Sequence, residues 1–344
     1  MRILVGMSGG VDSTAAALLL KQQGHEVGGL TLVLNDGDEA LAAAADARRV
    51  ADQLGIPHET LDLRDAFLTF VKRPFADAYE RGLTPNPCIE CNRHIKFGQM
   101  LDYALAHGWD AIATGHYARI EQENGRFLLK KATDPAKDQS YVLYSLTQHQ
   151  LAHAVFPLCD RSKPELRALA EQAGLATAQK KDSQDICFVP DGDYVGVLTR
   201  ELGVILKEGD YVDKDGNRLG THRGVPAYTI GQRKGLGVAF GEPRFVVSKN
   251  AADGTVTLGR SEDLFTTALT ADEVNWIAVE TLTEPTRVQV RTRYKQVEAD
   301  ATVYPPENGI VRVEFDNPQR AVTPGQAVVF YQGDTVLGGG RIFE

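Results

Sequence analysis

The sequence predicts an α/β protein in which a parallel-sheet domain is followed by two β-rich modules. Strand-like and helix-like segments alternate along the first half of the chain, which is typical of a parallel sheet with helices on both faces. A glycine-rich loop separates the first strand from the first helix. Beyond about residue 198 the helical periodicity fades and short runs rich in Val and Thr alternate with turns, which favours β structure.

The first half can be assigned segment by segment. Apolar runs predict strands at Ile3–Val5, Glu26–Leu34, His58–Leu61 and Ala111–Thr114. Helical spacing predicts helices at Ser13–Gln23, Glu39–Leu54, Phe67–Arg81, Lys96–His107 and Ser162–Gly174. Because ligands bind beyond the carboxyl ends of parallel strands, a nucleotide is expected at the loop after the first strand.

The second half is assigned in the same way. Strands are predicted at Phe245–Ser248, Val256–Leu258, Arg287–Arg293, Ala299–Tyr304, Ile310–Phe315 and Ala327–Tyr331. We place the domain boundaries near residues 198 and 264. The predicted domains are therefore residues 1–198, a small central β module at 199–264 and a C-terminal β-barrel at 265–344.

The composition excludes several classes of protein. The 344 residues carry a net charge of −9 with ordinary hydrophobic content, so any RNA phosphates would have to be held by local basic clusters. No apolar run reaches about 18 residues, which predicts no membrane span, and no signal peptide is evident. Four cysteines do not form a disulfide scaffold, which favours the reducing cytoplasm.

The loop GMSGGVDS carries the strongest functional signal in the chain. Strand, glycine-rich loop and helix together present backbone N–H groups to an anion, and glycines allow a phosphate to approach the backbone closely. It is not a Walker A loop, because no Lys-Ser or Lys-Thr follows the glycines. The predicted ATP-binding residues of the loop are Gly6, Met7, Ser8, Gly9, Gly10, Val11, Asp12 and Ser13.

Asp12 is unusual in a loop that attracts anions. It is explained if a divalent cation accompanies the phosphates, which makes Asp12 a candidate Mg²⁺ ligand. The alternative is that Asp12 caps the N-terminus of the following helix, and the two roles are compatible.

Three of the four cysteines lie in polar, charged contexts. Cys88 and Cys91 lie in TPNPCIECNRHIKF, ahead of the helix predicted from Lys96, and Cys187 lies in KKDSQDICF. Nearby basic residues and a helix N-terminus favour the thiolate form. Cys159 follows an apolar run and is expected to be a small buried hydrophobic residue.

Three kinds of chemistry could use these thiols. A structural zinc site usually has two close pairs of ligands, and Cys187 has no such partner. A Cys-x-x-Cys redox pair would suit a thioredoxin-like fold, which this pattern does not match. Sulfur transfer, with a persulfide on one thiolate and a second thiolate acting on it, is the alternative that uses both the phosphate loop and the separated cysteines.

Several further motifs occur in order along the chain: ATGHYAR, KDQSY, FPL, HRGVPAYTIGQRKGLG and a late Arg-Tyr pair. With the loop and the cysteine motifs they closely resemble the bacterial-type tRNA-specific 2-thiouridylases of the ATP pyrophosphatase (PP-loop) superfamily, over nearly the whole chain. The resemblance implies a sulfurtransferase that uses ATP and Mg²⁺ to adenylate the C2 oxygen of the wobble uridine, position 34, and replaces it with sulfur. It implies an ATP pyrophosphatase domain, a central tRNA-binding module and a β-barrel.

The resemblance also implies roles for particular residues. Leu32 and Gly115 would complete the ATP site, Cys91 would be the nucleophile, and Cys187 would carry the persulfide and form a transient disulfide with Cys91. The implied partners are the anticodon loop of glutamate, glutamine and lysine tRNAs, and a cysteine desulfurase or sulfur-relay protein. The implied tRNA contacts are Asn86, Pro87, Cys88, His116, Lys137, Asp138, Gln139, Arg293, Tyr294 and Gln326.

One departure from the family pattern leaves an alternative open. Many members carry Asp where this chain has Cys88, so the role of that Asp is not transferred to the thiol. Cys88, Cys91 and Cys187 could instead hold three irons of a [4Fe–4S] cluster, with the fourth iron free to bind sulfide. The sequence does not decide between this cluster and a persulfide relay.

Two other interpretations remain from the residues alone. His116 could be a hydrogen-bonded structural histidine, and the basic stripe Arg287, Arg291, Arg293 and Lys295 could be a solvated strand face rather than a phosphate-tracking one. The chain could also be another PP-loop adenylating enzyme, or a nucleotide-sensing RNA-binding protein without catalysis. Pyrophosphate release with and without tRNA distinguishes these functions.

Overall fold

The computed structural model describes residues 1–175, 186–189, 191–238 and 241–343, without the side chains of Glu39 and Ala40. The chain forms two compact units. The first unit contains Met1–Val71, Cys88–Cys187 and Asp334–Val336, and the second contains Lys72–Pro87, Phe188–Gly333 and Leu337–Glu344.

The helices within the described ranges are, in chain order, α1 (Val11–Gln22), α2 (Asp38–Leu54), α3 (Arg64–Phe67), α4 (Arg73–Glu80), α5 (Pro87–Glu90), α6 (Met100–Ala106), α7 (Gln148–Ala152), α8 (Lys163–Gln172) and α9 (Tyr194–Gly196). Three π-helical segments occur at Leu68–Lys72, Cys91–Gln99 and Val197–Glu201. The described helices include none that is long and apolar enough to cross a membrane.

The strands are β1 (Arg2–Gly6), β2 (Glu26–Val33), β3 (His58–Asp62), β4 (Ala111–Ala113), β5 (Ala118–Glu123), β6 (Arg126–Lys131), β7 (Ala154–Val155), β8 (Gly209–Val212), β9 (Arg218–His222), β10 (Phe245–Asn250), β11 (Thr255–Gly259), β12 (Phe265–Trp276), β13 (Thr286–Arg291), β14 (Ala299–Val303), β15 (Val311–Arg320), β16 (Ala327–Gln332) and β17 (Thr335–Ile342).

The first unit is built on a five-stranded parallel sheet in the order β3-β2-β1-β4-β7. Its core lies between the buried face of α1 and the sheet, and includes Ile3, Val5, Ala15 and Ala16. The predicted parallel-sheet class is confirmed, and β1 to β4 lie within one or two residues of their predicted positions. The apolar runs of β1 and β4 were reliable because these strands are buried inside the sheet, whereas β3 is a polar edge strand.

Some elements of the first unit differ from the prediction. The helix expected to begin at Lys96 begins at Pro87 and includes the π-helical segment Cys91–Gln99. The antiparallel hairpin of β5 and β6 was not predicted, because its mixed polar pattern resembles a loop.

The second unit contains a small sheet and a barrel. The small sheet has the order β10-β11-β8-β9, and its buried residues include Tyr211, Tyr228 and Val256. The barrel order is β12-β15-β14-β13-β16-β17, and it closes because β12 also pairs with β17. The predicted central β module and C-terminal barrel are confirmed.

The closing strand β17 was missed because its sequence contains three consecutive glycines. A Cβ atom at Gly338 would lie 2.6 Å from the carbonyl oxygen of Asn275, and one at Gly340 would lie 2.7 Å from that of Asp272. Glycine is therefore required here by the close approach of β12, which a sequence pattern does not show.

The basic stripe expected along β13 does not form a free phosphate-tracking face. Arg287 makes a two-pronged ion pair with Asp316, at 2.7 and 2.6 Å, and Arg291 pairs with Glu298 at 2.8 Å. The strand ends at Arg291, so Arg293 and Lys295 do not continue its alternation. Arg287 and Arg291 are therefore each paired with an acidic side chain, Asp316 of β15 and Glu298 just before β14.

Candidate active site

The loop after β1 leaves the N-terminus of α1 open. Gly10 occupies the N-cap position, and no side chain among the described residues caps the helix. Within the loop, the Ser8 N–H donates to Ser13 Oγ at 3.2 Å, and Ser13 Oγ donates to the Gly10 carbonyl at 3.2 Å. Asp12 is therefore not the N-cap, and the first turn of α1 remains available to an anion.

Two glycines allow other segments to approach the loop. Gly9 has a φ of +69°, and a Cβ there would lie 2.9 Å from the carbonyl oxygen of Ala43. A Cβ at Gly115 would lie 2.8 Å from Asp12 Cβ and 3.1 Å from Ser13 N. The segment after β4 thus lies directly against the loop, as expected for a nucleotide site where two parallel strands end.

The Asp12 carboxylate is held by two residues that were not predicted. Lys163 Nζ lies 2.7 and 2.8 Å from its two oxygens, and the Tyr117 hydroxyl donates to it at 2.8 Å. Lys163 is the first residue of α8 and is buried. A capping box of Ser162 and Glu165 begins this helix, but no local sequence pattern indicates that Lys163 contacts the loop.

The remaining predicted ATP residue lies at the same edge of the sheet. Leu32 is the penultimate residue of β2 and pairs with Leu61 of β3. Next to it, the Thr31 hydroxyl donates to the Met7 carbonyl at 2.8 Å and contacts His58 Nε2 at 2.9 Å. This pair fixes the first residues of the loop against β2.

His116 connects the phosphate loop to the cysteine segment. It follows Gly115, is buried, and its Nδ1 lies 2.7 Å from Thr114 Oγ1. Its ring lies between Phe97 and Phe156, with centroid distances of 5.9 Å to each. Burial, with a smaller effect of Lys96, holds the pKa of His116 well below its usual value, so His116 is a neutral ring within an aromatic cluster.

The three cysteines of the two charged motifs all belong to the first unit, and the charges of Cys88 and Cys187 act on Cys91. Cys91 is buried at the start of the π-helix, whereas Cys88 and Cys187 reach the surface. Burial raises the pKa of Cys91 to about 11; the Lys96 charge opposes this, and the charges of Cys187 and Cys88 add to it. Cys187 is therefore within electrostatic reach of Cys91, although the two are far apart in sequence.

This result corrects the expectation that the thiolates are favoured. The surrounding protein also raises the pKa of Cys88, and Lys96 only partly offsets it. Sequence neighbours indicated a basic environment, but removal of water from the thiols has the larger effect. Cys159 is half-buried rather than fully buried, and Lys180–Asp185 of the Cys187 motif lie outside the described residues.

The described residues fit the implied metals to different degrees. The described residues include no group of three or more His, Cys, Asp or Glu side chains that could hold a metal ion. Asp12 is a single carboxylate at the loop, which suits Mg²⁺ because that ion is commonly held by one or two carboxylates together with substrate phosphates.

The segment Lys137–Gln139 is shaped by internal hydrogen bonds. Asp138 is buried and accepts from the N–H groups of Ala132 and Ser140, at 3.1 and 3.2 Å. Gln139 Oε1 accepts from the Tyr117 N–H at 3.0 Å. Asp138 and Gln139 therefore hold the turn on which the partly exposed Lys137 lies, and contact of this segment with tRNA stays a prediction.

The predicted tRNA residues of the second unit also have structural partners. Gln326 Nε2 donates to the Thr84 carbonyl at 2.9 Å, which holds the segment that continues to Asn86 and Pro87. The Arg293 guanidinium donates to the Ala321 carbonyl at 2.6 Å and to Thr323 Oγ1 at 3.0 Å. Tyr294 beside it is 36% exposed, which leaves its ring accessible for stacking on a base.

Comparison with known proteins identifies the family. Three family models match in order: the tRNA methyl transferase HUP domain at residues 1–191, its PRC-barrel domain at 197–260, and the aminomethyltransferase β-barrel domain at 266–342. The chain is 48% identical over 351 residues to the tRNA-specific 2-thiouridylase MnmA 2 of Clostridium botulinum (strain Okra / Type B1), with 99% of each chain covered. It belongs to the tRNA-specific 2-thiouridylase MnmA family.

A second relative supports this membership. The MnmA of Acetivibrio thermocellus is 49% identical over 354 residues, again with 99% of each chain covered. The U34-tRNA thiolase NcsA from Methanococcus maripaludis, solved with its [4Fe-4S] cluster, is only weakly similar, at 17% identity and a TM-score of 0.37 over 59% of this chain and 67% of that one. The resemblance predicted from the motifs is confirmed, as is the expectation of a sulfurtransferase.

Proposed function

We propose that this enzyme thiolates C2 of the wobble uridine of tRNA by adenylating the C2 oxygen and then transferring sulfur from a cysteine persulfide. The observation that carries the proposal is the meeting of three separate motifs within the first unit. Cys187 lies within electrostatic reach of Cys91. The π-helix of Cys91 contacts His116 through Phe97, and His116 follows the glycine that lies against the phosphate loop.

In the first step, the loop would bind ATP and direct its α-phosphate to the uridine oxygen. The open first turn of α1 and the backbone of Gly9 and Gly10 would stabilise the phosphate charge. Asp12 would hold Mg²⁺, whose charge neutralises the phosphates. Lys163 would then leave Asp12 and donate to a phosphate oxygen. Adenylation converts the C2 oxygen into an AMP leaving group and releases pyrophosphate.

In the second step, two routes balance chemically. Cys91 could attack a Cys187 persulfide and release hydrosulfide, which then attacks C2. Alternatively, the terminal persulfide sulfur attacks C2 and expels AMP, after which Cys91 attacks the Cys187 sulfur. That attack releases 2-thiouridine and forms a Cys91–Cys187 disulfide.

The protonation state of Cys91 supports the second route. With a pKa raised to about 11 by burial, Cys91 is a thiol at neutral pH, and the second route requires its thiolate only in the last step. A thiol that stays protonated until then does not attack the persulfide prematurely. An external thiol reductant must afterwards reduce the disulfide.

The test measures both half-reactions. Pyrophosphate release that depends on tRNA supports the proposed function, whereas release without RNA favours another PP-loop adenylating enzyme. Cys91→Ser and Cys187→Ser should each abolish 2-thiouridine formation while leaving tRNA binding nearly intact. Cys159→Ser is the matched control, and full activity in either of the first two variants would refute the relay.

Two further measurements address the partners and the cluster. Thiolation should be tested on tRNA for glutamate, glutamine and lysine, with a cysteine desulfurase as sulfur donor. Anaerobic purification followed by an iron count and an absorbance scan tests the iron–sulfur alternative. Activity of iron-free protein supports the relay, and strict dependence on iron contradicts it.

A further inference from the structure

The helix that carries Cys91 is not an ordinary α-helix. Residues Cys91–Gln99 are π-helical and lie between α5 and α6. At the end of this segment the Met100 N–H donates to the Ile95 carbonyl, five residues earlier. Such wide turns are rare and occur frequently at functional sites, so a specific interaction is expected to stabilise this one.

Gln150 supplies that interaction from a different helix. Its side-chain Nε2 donates to the Arg93 carbonyl at 3.0 Å and to the Phe97 carbonyl at 2.8 Å. Both carbonyls belong to the π-helix. An amide nitrogen has two N–H donors, and here each of them donates to a carbonyl of the π-helix.

The other half of the Gln150 amide is fixed by its own helix. Its Oε1 accepts from the Thr147 N–H at 2.9 Å, and the Gln150 N–H donates to Thr147 Oγ1 at 3.2 Å. This capping box at the start of α7 leaves the side chain little freedom. The two donors are therefore presented in a fixed direction, as is required of a group that holds a site in place.

A second amide bonds the π-helix to another segment. Asn92, which follows Cys91, is buried, and its Nδ2 donates to the Val142 carbonyl at 2.9 Å. A return to ordinary helical spacing would change the direction in which Cys91 points, because an α-helix bonds residues four apart instead of five.

We infer that Gln150 is a positioning residue for Cys91: its amide holds the helix that begins at Cys91 in its π-helical form and thereby sets the direction of this thiol. For catalysis the inference rests on the proposed function, whereas the thiol geometry can be tested without it. No sequence motif indicated Gln150, because its contacts cross from α7 to a segment more than fifty residues earlier.

The test uses two substitutions at Gln150 and one matched control. Gln150→Met keeps the length of the side chain and removes both donors. Gln150→Glu keeps an oxygen that accepts from the Thr147 N–H, and thus keeps the capping box. Its second carboxylate oxygen replaces the amide nitrogen, so it cannot donate to the two π-helix carbonyls. Gln148→Met on the same helix removes a similar pair of bonds, since Gln148 bonds the Phe127 N–H and carbonyl at 2.8 and 2.9 Å and neither group belongs to the π-helix.

The first readout is the rate of Cys91 alkylation by iodoacetamide as a function of pH, followed by peptide mass spectrometry. A Cys88→Ser background makes Cys91 the only thiol in its tryptic peptide. In this background the charged groups that still influence Cys91 are Lys96 and Cys187. In Gln150→Met and Gln150→Glu we expect the alkylation rate to rise by about tenfold across the neutral range, because a relaxed helix exposes the thiol to water and to the reagent.

The second readout is tRNA thiolation with native cysteines. We expect the maximal rate to fall by about tenfold to a hundredfold in both Gln150 variants, because a displacement of about 1 Å at a reacting group has an effect of this size. The KM for tRNA should change little. Gln148→Met should retain the wild-type pH profile and thiolation rate, even if its melting temperature falls by as much as that of the Gln150 variants.

These outcomes separate the alternatives. A wild-type alkylation profile in both Gln150 variants overturns the inference, and so does an equal effect of Gln148→Met, which would mean that Gln150 only stabilises α7. If the wild-type protein does not thiolate tRNA, the proposed function fails, and the alkylation profiles still decide the role of Gln150.

Discussion

Replacing Lys163 by methionine should destabilise the phosphate loop and stop ATP turnover together. Lys163 Nζ lies 2.7 and 2.8 Å from the Asp12 oxygens, and the two side chains are 10% and 30% exposed. Exposed ion pairs contribute about 0.2–1 kcal/mol, and loss of one partner from a fully buried pair costs about 3–5 kcal/mol. This partly buried pair lies between these limits, so we expect a loss of about 2 kcal/mol in unfolding free energy.

A double-mutant cycle measures this coupling directly. Urea unfolding of the wild type, Lys163→Met, Asp12→Asn and the double variant should give an interaction energy of about 2 kcal/mol. Tyr117→Phe is the control, since it removes the hydrogen bond of an uncharged donor to the same carboxylate and should cost about 1.5 kcal/mol. Pyrophosphate release in the presence of tRNA should fall at least about a hundredfold in Lys163→Met, as for loss of a group that stabilises transition-state charge.

Two results would refute the reasoning. An interaction energy below about 0.5 kcal/mol would show that the pair behaves as a solvated surface contact. Wild-type pyrophosphate release by Lys163→Met would show that this ammonium group does not act on the phosphates. The two measurements are independent, so the structural and the catalytic parts of the argument can fail separately.

Four further outcomes are expected. Gly115→Ala should weaken ATP binding, measured by equilibrium dialysis, because its Cβ would lie 2.8 Å from a loop atom; unchanged affinity contradicts this. Burial raises the pKa of the folded Cys91 thiol from its ordinary value of 9.0 to about 11. The rate of Cys91 alkylation should therefore keep rising to about pH 11. The free energy of unfolding should fall above about pH 9, because the unfolded chain then loses this proton while the folded chain keeps it. Cys187→Ser should retain tRNA-dependent pyrophosphate release but form no 2-thiouridine by nucleoside analysis. Gln326→Ala loses the 2.9 Å bond to the Thr84 carbonyl, so it should cost about 1 kcal/mol in urea unfolding and weaken tRNA binding in a filter assay; wild-type values would rule this out.

The candidate site was predictable where its functional residues follow one another directly in the sequence. Gly6–Ser13 lie where expected, from the last residue of β1 to the first turn of α1, since a strand, a glycine loop and a helix are defined by short-range sequence. Cys91 and Cys187 were linked by resemblance, and their electrostatic contact is a property of the fold. Lys163 and Gln150 were missed, because each contacts its target across a long stretch of chain.

The sequence by itself determined the family, the α/β and β-rich halves of the chain and the identity of the phosphate loop, because periodicity and short motifs act over a few residues. The tertiary structure decided the state of the groups in the site. It buried Cys91 and raised its pKa, although its sequence neighbours are basic. It paired Asp12 with Lys163 and bonded the Gln150 side chain to the π-helix that begins at Cys91. Desolvation and hydrogen bonding depend on which distant segments surround a group, and only the folded chain brings those segments together.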